Sequence, residues 1–536
     1  MVFSNPRIRS IYRRNPQSVS FLSPNPPIRG PIHPPPYDIV FNHFSSSEQN
    51  PLRLLIMGVA GTGKRNVLQT KCRVLTYTGK ASFNVNGVTL HSLLKLPLGT
   101  KRNCHLKGIP LQLLQTNLEN VQYVIIEEYS FVGQSLSGWI DSRCRQATGR
   151  TDTTFGGISV ILVGDIAQLP PVGDKPLYHS LPKTERQMQG LLLYHEFKKV
   201  VKLTVNQRVQ GSDTEQSNFR AVLIQARYGG STMSLWESLI FRTPHKVNNI
   251  NDFKQLSVRL CYHKEKVAEL NMSKLKSLNQ PIAVIKARHS LGAQTLSADD
   301  MGGLEPVIYL SKGAKVMLTM NLWTDVGLCN GAIRTVLDFV YAEGQQPPCL
   351  PICVLVQFDE EYKGPSVSST FQRCVPICPI TQVSGSLGQR YERQQSRLRL
   401  AWAMTIHKCQ GLTLSKAWID LGSSERTLGI TYVALSRVKK IQDMVIEPVT
   451  LERLQAVKKL TNFKFRLEEE KRLDLLANET LKSHFTMSYN TFFVPLDTIS
   501  KQLKLVIHSS QNVSLVRDQN KKILISCSCS NWWQIM

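Results

Sequence analysis

The chain has 536 residues, about three to four domains by the usual length prior, so it can bury several cores without disulfides or metal staples. Lys+Arg 65 against Asp+Glu 39 leave a net charge of +26, an excess that points to a polyanionic partner, either nucleic acid or an anionic membrane surface. Apolar content of 42% and charged content of 19% are those of a folded chain. No stretch reaches the ~18 to 20 uninterrupted apolar residues of a membrane span, so a soluble protein with no membrane partner is expected.

Residues 1 to 50 hold nine prolines and no acidic residue before Asp38, while Arg7, Arg9, Arg13, Arg14 and Arg29 supply positive charge. Such a segment reads as a disordered basic arm. Arg and Ser without acids also suit a mitochondrial transit peptide, although the prolines interrupt the amphipathic helix such peptides need.

From Leu52 onward, apolar runs of strand length alternate with helical patterns: LRLLIMGV, CRVLTYTG, VQYVIIEE and ISVILVGD. Continuous β-branched runs are what a parallel sheet covered on both faces requires. A second series, AKVMLTM, AIRTVLDFV, ICVLVQFD and KAWIDLG, predicts two α/β domains with an all-β insertion. The expected bounds are 51–205 for the first domain, 206–329 with 398–450 for the second, and 330–397 for the insertion. LERLQAVKKL and RLEEEKRLDLL predict a charged helical segment over 451–481, and periodicity fades over 482–536.

The twelve cysteines are scattered, and reduced thiols are the expectation. Cys349/Cys353 and Cys374/Cys378 have C-x-x-x-C spacing in strand-like runs. Residues four apart on one strand lie about 13 Å apart, too far to share a zinc ion, so strand packing is the reading.

GVAGTGKR, from Gly58 to Arg65, lies between an apolar run and a helical pattern, the position of a phosphate-binding loop. Gly58, Gly61 and Gly63 let successive N–H groups, with that of Thr62, turn onto phosphate oxygens, and Lys64 can reach the β- and γ-phosphates. ATP and Mg2+ are the ligands expected. The next position usually offers a hydroxyl to Mg2+; here it is Arg65. At the end of VIIEEYS two acids emerge together, Glu127 to hold the metal and Glu128 to polarise the attacking water.

Four further segments make the pattern specific: TYTGKASFNVNGVTLHSLLKLP, GGISVILVGDIAQLPPVGD, RLRLAWAMTIHKCQGLTL and TYVALSRVKK. With the weaker KVMLTMNLWTDVGLCNGAIRTV, they run in order over about residues 52 to 450, and here the chain resembles the Pif-one (petite integration frequency) family of 5′-to-3′ DNA helicases, RecD-like members of superfamily 1. The resemblance implies two RecA-like P-loop domains and a small β insertion that covers the bound strand. It implies that Gln168 senses the γ-phosphate and the water, as an amide that both donates and accepts. It implies that Arg208 and Arg437 reach the γ-phosphate from neighbouring segments, where a planar guanidinium stabilises spread charge. Contacts to single-stranded DNA are implied for Thr78, Gly79, His91, His407 and Lys408, while Phe83 and Trp402 read as core aromatics.

The function so implied is ATP-driven translocation on single-stranded DNA and unwinding of duplex or structured DNA, in DNA repair, recombination and telomere maintenance. The expected location is the nucleus, with the mitochondrion as the alternative. The first domain departs from the family at Arg65, at Glu127 where the family has Asp, and in length, since only RNVLQTK separates Lys64 from the next strand. No glutamine suited to reading adenine precedes the loop. A second reading therefore stands beside the enzyme: a remnant that binds single-stranded DNA without ATP turnover.

Overall fold

In the computed structural model the described residues are 36–45, 50–58, 72–85, 87–96, 105–204, 206, 208–211, 213–230, 233–298, 300–359, 362–367, 370–384, 390–491, 513–517 and 523–527, all within the unit His33–Met536. The first of the predicted apolar runs forms β1 (Arg53–Gly58), and the others form β2 (Cys72–Thr76), β4 (Tyr123–Glu127) and β5 (Ser159–Gly164). With β3 (Val88–Thr89) and β6 (Lys199–Leu203) they make one parallel sheet in the order β3-β2-β4-β5-β1-β6. Every residue of β1 and β5 is buried, which accounts for apolar runs that do not alternate.

One face packs on helices Ile109–Leu118, Gln134–Thr148 and Glu185–His195, through Leu114, Leu118, Ile140 and Leu193. The other face meets helix Pro36–Ser45, whose Ile39 and Val40 join Leu54, Ile56 and Ile161. This corrects the expected arm: residues 36–45 belong to the first domain, because Ile39 and Val40, two apolar residues one turn into the helix, cover part of that sheet face. Residues 1–35 lie outside the described residues.

A second parallel sheet orders Ala403–Thr405, Val258–Cys261, Ala417–Asp420 and Met444–Glu447. Between its first two strands in sequence the chain is antiparallel, and the insertion is longer than 330–397. Its five-stranded sheet joins Cys374–Ile377, Cys353–Gln357, Ile333–Val340, Lys315–Leu318 and Leu398–Leu400, and smaller sheets begin at Ala283. A short apolar run such as KVML has no period that separates a parallel from an antiparallel strand, so the first insertion strands were placed in the second domain. Cys349 sits before strand Cys353–Gln357 rather than on it, and all four of these insertion cysteines are free thiols. Among the described residues no cluster of His, Cys, Asp or Glu is arranged to hold a metal ion, and no helix is long and apolar enough to cross a membrane.

The charged helical segment is longer than expected, Thr461–Thr491 after a short Leu451–Gln455. It returns to the first domain. Leu473 and Ala477 enter that core, Thr480 Oγ1 accepts from Val200 N at 2.9 Å, and Lys202 Nζ lies 2.5 Å from Asp474 Oδ1. In the tail, Val513–Arg517 and Ile523–Cys527 pair antiparallel.

Candidate nucleotide and DNA site

Parallel strands deliver their C-terminal ends to one edge, and the chemistry-bearing residues of the first domain gather there. Gly58 ends β1, beside Leu203 of β6. Gly61, Thr62, Gly63, Lys64 and Arg65, and with them the short crossover RNVLQTK, lie outside the described residues. Glu127 is the last residue of β4, half-buried, in register with Val163 and Thr76. Glu128 follows in a left-handed conformation, φ 54° and ψ 43°, which turns the chain sharply off the strand. A carboxylate at a strand end on the Gly58 edge is what a magnesium ion that keeps most of its waters requires, so the donor set fits that ion.

The second domain comes to this edge from two sides. Gly411, φ +79°, lies so near Glu128 that an added Cβ would stand 2.9 Å from its Oε1. Gln410 Nε2 reaches Ser130 Oγ at 3.4 Å. Gly429, φ +82°, opens helix Ile430–Leu435 directly against the turn after β5: its Cβ would stand 2.4 Å from the Ala167 carbonyl oxygen and 2.9 Å from that of Gln168. Gln168 itself is half-buried, its N–H donating to the Asp165 carbonyl at 3.1 Å.

Arg437 is buried, 1% exposed, and donates to carbonyls of its own domain: Val433 at 2.8 Å, Leu412 at 3.2 Å and Cys409 at 3.4 Å, with Ser436 Oγ at 2.7 Å. Arg208 Nη1 donates to the Ser436 carbonyl at 2.7 Å. The two predicted arginines therefore meet around Ser436, and Arg437 turns into its own domain.

The predicted DNA contacts separate into two classes. Thr78 caps helix Gly79–Asn84, accepting from Ala81 N at 3.3 Å, and Gly79 abuts Asn321 of the insertion. His91 packs edge-on against Tyr77, ring centroids 5.6 Å apart, and burial pushes its pKa below the usual histidine value. His407 is lowered too, by burial and then by Lys264, whereas Lys408 is exposed. Of the three basic residues in this set, Lys408 is the exposed one, and both histidines are held below the usual histidine pKa. Phe83 packs on the insertion core with Trp402, as core aromatics.

Residues 37–233 match the model of the family described as PIF1-like helicase. The ATP-dependent DNA helicase PIF1 of Xenopus laevis is 29% identical over 434 residues, 78% of this chain and 62% of the relative. The human protein of that name is 29% identical over 410 residues, 73% of this chain and 57% of the relative. Over these residues the chain is similar to the PIF1-like helicases. It spans about three fifths of the length of these vertebrate relatives. The solved Pif1 helicase of Candida albicans matches the fold with a TM-score of 0.61 at 22% identity, over 82% of this chain and all of that one. Bacteroides Pif1 in complex with ADP-AlF3 and single-stranded DNA matches with 0.58 at 23%, over 81% and 97%.

Within that fold, Asp165, Arg227, Tyr432 and Glu470 are the residues that sequence reasoning missed. Asp165, 3% exposed, is ion-paired to Arg227 and accepts from the Tyr432 hydroxyl at 2.9 Å, while Glu470 on the C-terminal helix takes the other arm of Arg227 at 3.0 Å. Burial pulls the Arg227 pKa down, but the two carboxylates outweigh it and hold the guanidinium well above its usual value. An acid straight after an apolar strand was a signal for Asp165. Nothing in sequence marked its partners, which come from three separate segments.

Proposed function

We propose that this protein is an ATP-dependent DNA helicase that couples ATP hydrolysis to 5′-to-3′ stepping on single-stranded DNA, parting duplex or structured DNA ahead of it. One observation carries the reading: the turns at the C-terminal edge of the first sheet meet the second domain, with Glu128 against Gly411 and the Gln168 turn against Gly429. Glu128 and Gln168, carried by the first body, thus face backbone of the second across one cleft. Opening and closing that cleft changes the grip of each body on a strand, and alternating grips give stepping. Relatives named as ATP-dependent DNA helicases, and a fold shared with a Pif1 bound to ADP-AlF3 and single-stranded DNA, support it.

A cavity of about 230 Å³ beside Gly58, lined by Leu203, Arg220 and Tyr228 among others, offers room for the nucleotide base. Mg2+ at Glu127 would neutralise phosphate charge. Glu128 would orient the water, and Gln168 would report the γ-phosphate. The expected work is DNA repair, recombination and telomere maintenance, in the nucleus or the mitochondrion.

Purified protein is expected to hydrolyse ATP only when single-stranded DNA is added. The departures at Arg65 and Glu127 favour one rival, the DNA-binding remnant. It predicts salt-sensitive binding to labelled oligothymidine that a non-hydrolysable ATP analogue leaves unchanged, because phosphate contacts release counterions with or without nucleotide.

A further inference from the structure

The turn that holds Gln168 is built by Asp165. One carboxylate oxygen accepts from Ala167 N at 3.0 Å and the Asp165 carbonyl accepts from Gln168 N at 3.1 Å, so the acid closes the turn on itself. The other carboxylate oxygen accepts from Tyr432. Tyr432 lies in helix Ile430–Leu435, and that helix is the segment whose Val433 carbonyl receives Arg437 Nε at 2.8 Å. Gly429 seats the start of this helix on the Ala167 and Gln168 carbonyls with no room for a side chain. Two backbones in direct contact, joined by one buried hydrogen bond, cannot slide past each other without breaking it.

We propose that Tyr432 is a positioning residue for hydrolysis: through Asp165, its hydroxyl ties the helix that holds Arg437 to the turn that presents Gln168. Any displacement of the Arg437 helix is then felt at Gln168, and the reverse. Arg227, held by Glu470, is ion-paired to the Asp165 carboxylate, so the C-terminal helix supports the same contact. This inference rests on the ATP-hydrolysing reading given above.

The test is Tyr432→Phe, which removes one oxygen and keeps the ring in its packed place. Tyr194→Phe is the control, because Tyr194 is equally buried and its hydroxyl donates to Glu469 at 2.6 Å rather than to Asp165. With protein amounts normalised to folded, DNA-binding molecules, Tyr432→Phe is expected to lower kcat of DNA-stimulated hydrolysis by about tenfold while KM for ATP and the DNA affinity stay within about twofold. Tyr194→Phe should leave kcat unchanged. An unchanged kcat in Tyr432→Phe, or a raised KM alone, overturns the proposal. Where the unsubstituted protein itself shows no DNA-stimulated hydrolysis, the helicase reading fails, and amide hydrogen exchange decides the inference separately. Exchange at Ala167 and Gln168 should then be at least tenfold faster in Tyr432→Phe than in Tyr194→Phe; equal protection overturns it.

Discussion

The first domain touches the rest of the molecule in two contrasting ways. At the Asp165 seam, charges are fully buried: Arg227 is 5% exposed and paired on both sides, and the core around it mixes Phe131, Ala167 and Leu169 of the first domain with Leu260, Ile419 and Tyr432 of the second. At the insertion, a glycine meets an amide: Gly79 against Asn321, which also accepts from Asn330 N at 2.9 Å, with half-buried Phe83 alongside. Buried ion pairs hold a narrow geometry because any loosening leaves a charge without its partner. A half-buried apolar and amide contact parts at little cost, which would suit the strand-admitting surface proposed above.

The largest break of this contrast is Arg227→Met, which leaves two carboxylates buried without their cation. It should cost about 3 to 5 kcal/mol in urea unfolding followed by fluorescence. Asn321→Ala, removing one amide contact, should cost about 0.5 to 1.5 kcal/mol. Similar losses in the two variants would erase the distinction between seam and insertion.

Two alanine substitutions sharpen the same point. Gly429→Ala forces a Cβ onto backbone that cannot yield, at φ +82°, so strain of roughly 1 to 2 kcal/mol adds to the clash and ATP turnover should fall with it. Gly79→Ala meets the end of a side chain instead. Asn321 can swing away, so turnover at saturating DNA should survive while affinity for single-stranded DNA falls a fewfold, measured by anisotropy. Loss of turnover in Gly79→Ala with none in Gly429→Ala would reverse the assignment of the rigid contact.

This contrast also shows what sequence could carry. Strands β1, β2, β4 and β5 were legible because a strand buried on both faces must be apolar at every position. Glu127 and Glu128 were singled out as paired acids at the end of an apolar strand, whereas Gln168, which lies beyond the Gly164 end of β5, was picked out by the family resemblance alone. The seam was not. Asp165 carried the signal of an acid straight after an apolar strand, but Arg227, 62 residues on, and Glu470, another 243 on, each alone look like ordinary surface charges. The helix from Thr461 reads as solvated because Glu469, Glu470 and Asp474 spend their charge on Tyr194, Arg227 and Lys202, partners that exist only once the fold is made. The insertion bounds failed for a plainer reason, since a four-residue apolar strand carries no sign of its direction.

A defect in turnover should trace to the phosphate loop, where Arg65 stands at the position that usually offers a hydroxyl to Mg2+. Arg65→Ser restores a hydroxyl for Mg2+ and removes a competing charge. It should raise DNA-stimulated hydrolysis by one to two orders of magnitude, about 1.4 to 2.7 kcal/mol of barrier. Glu128→Gln in that background should abolish the gain, because the water loses its polarising carboxylate. No gain in Arg65→Ser, with ATP still unbound, would point to the short crossover instead and favour the remnant.

The smallest effect separates two neighbours on the DNA path. Lys408 is exposed and charged, so Lys408→Ala should flatten the plot of log binding constant against log salt by about 0.7 for a single strand. His407 is held below the usual histidine pKa by burial and by Lys264, and is neutral at pH 7.5. His407→Asn should leave that slope unchanged there and alter it only well below pH 6.5, the usual histidine value. His91 has the same sign in stability: its folded pKa lies below its unfolded one, so the unfolded chain binds the proton first. Stability should therefore fall as pH drops through about 6.5, and His91→Phe should remove that part of the slope. A salt slope that changes in His407→Asn at pH 7.5 would mean that the imidazole is charged against DNA after all, and the electrostatic grip would then have to be shared between the two residues.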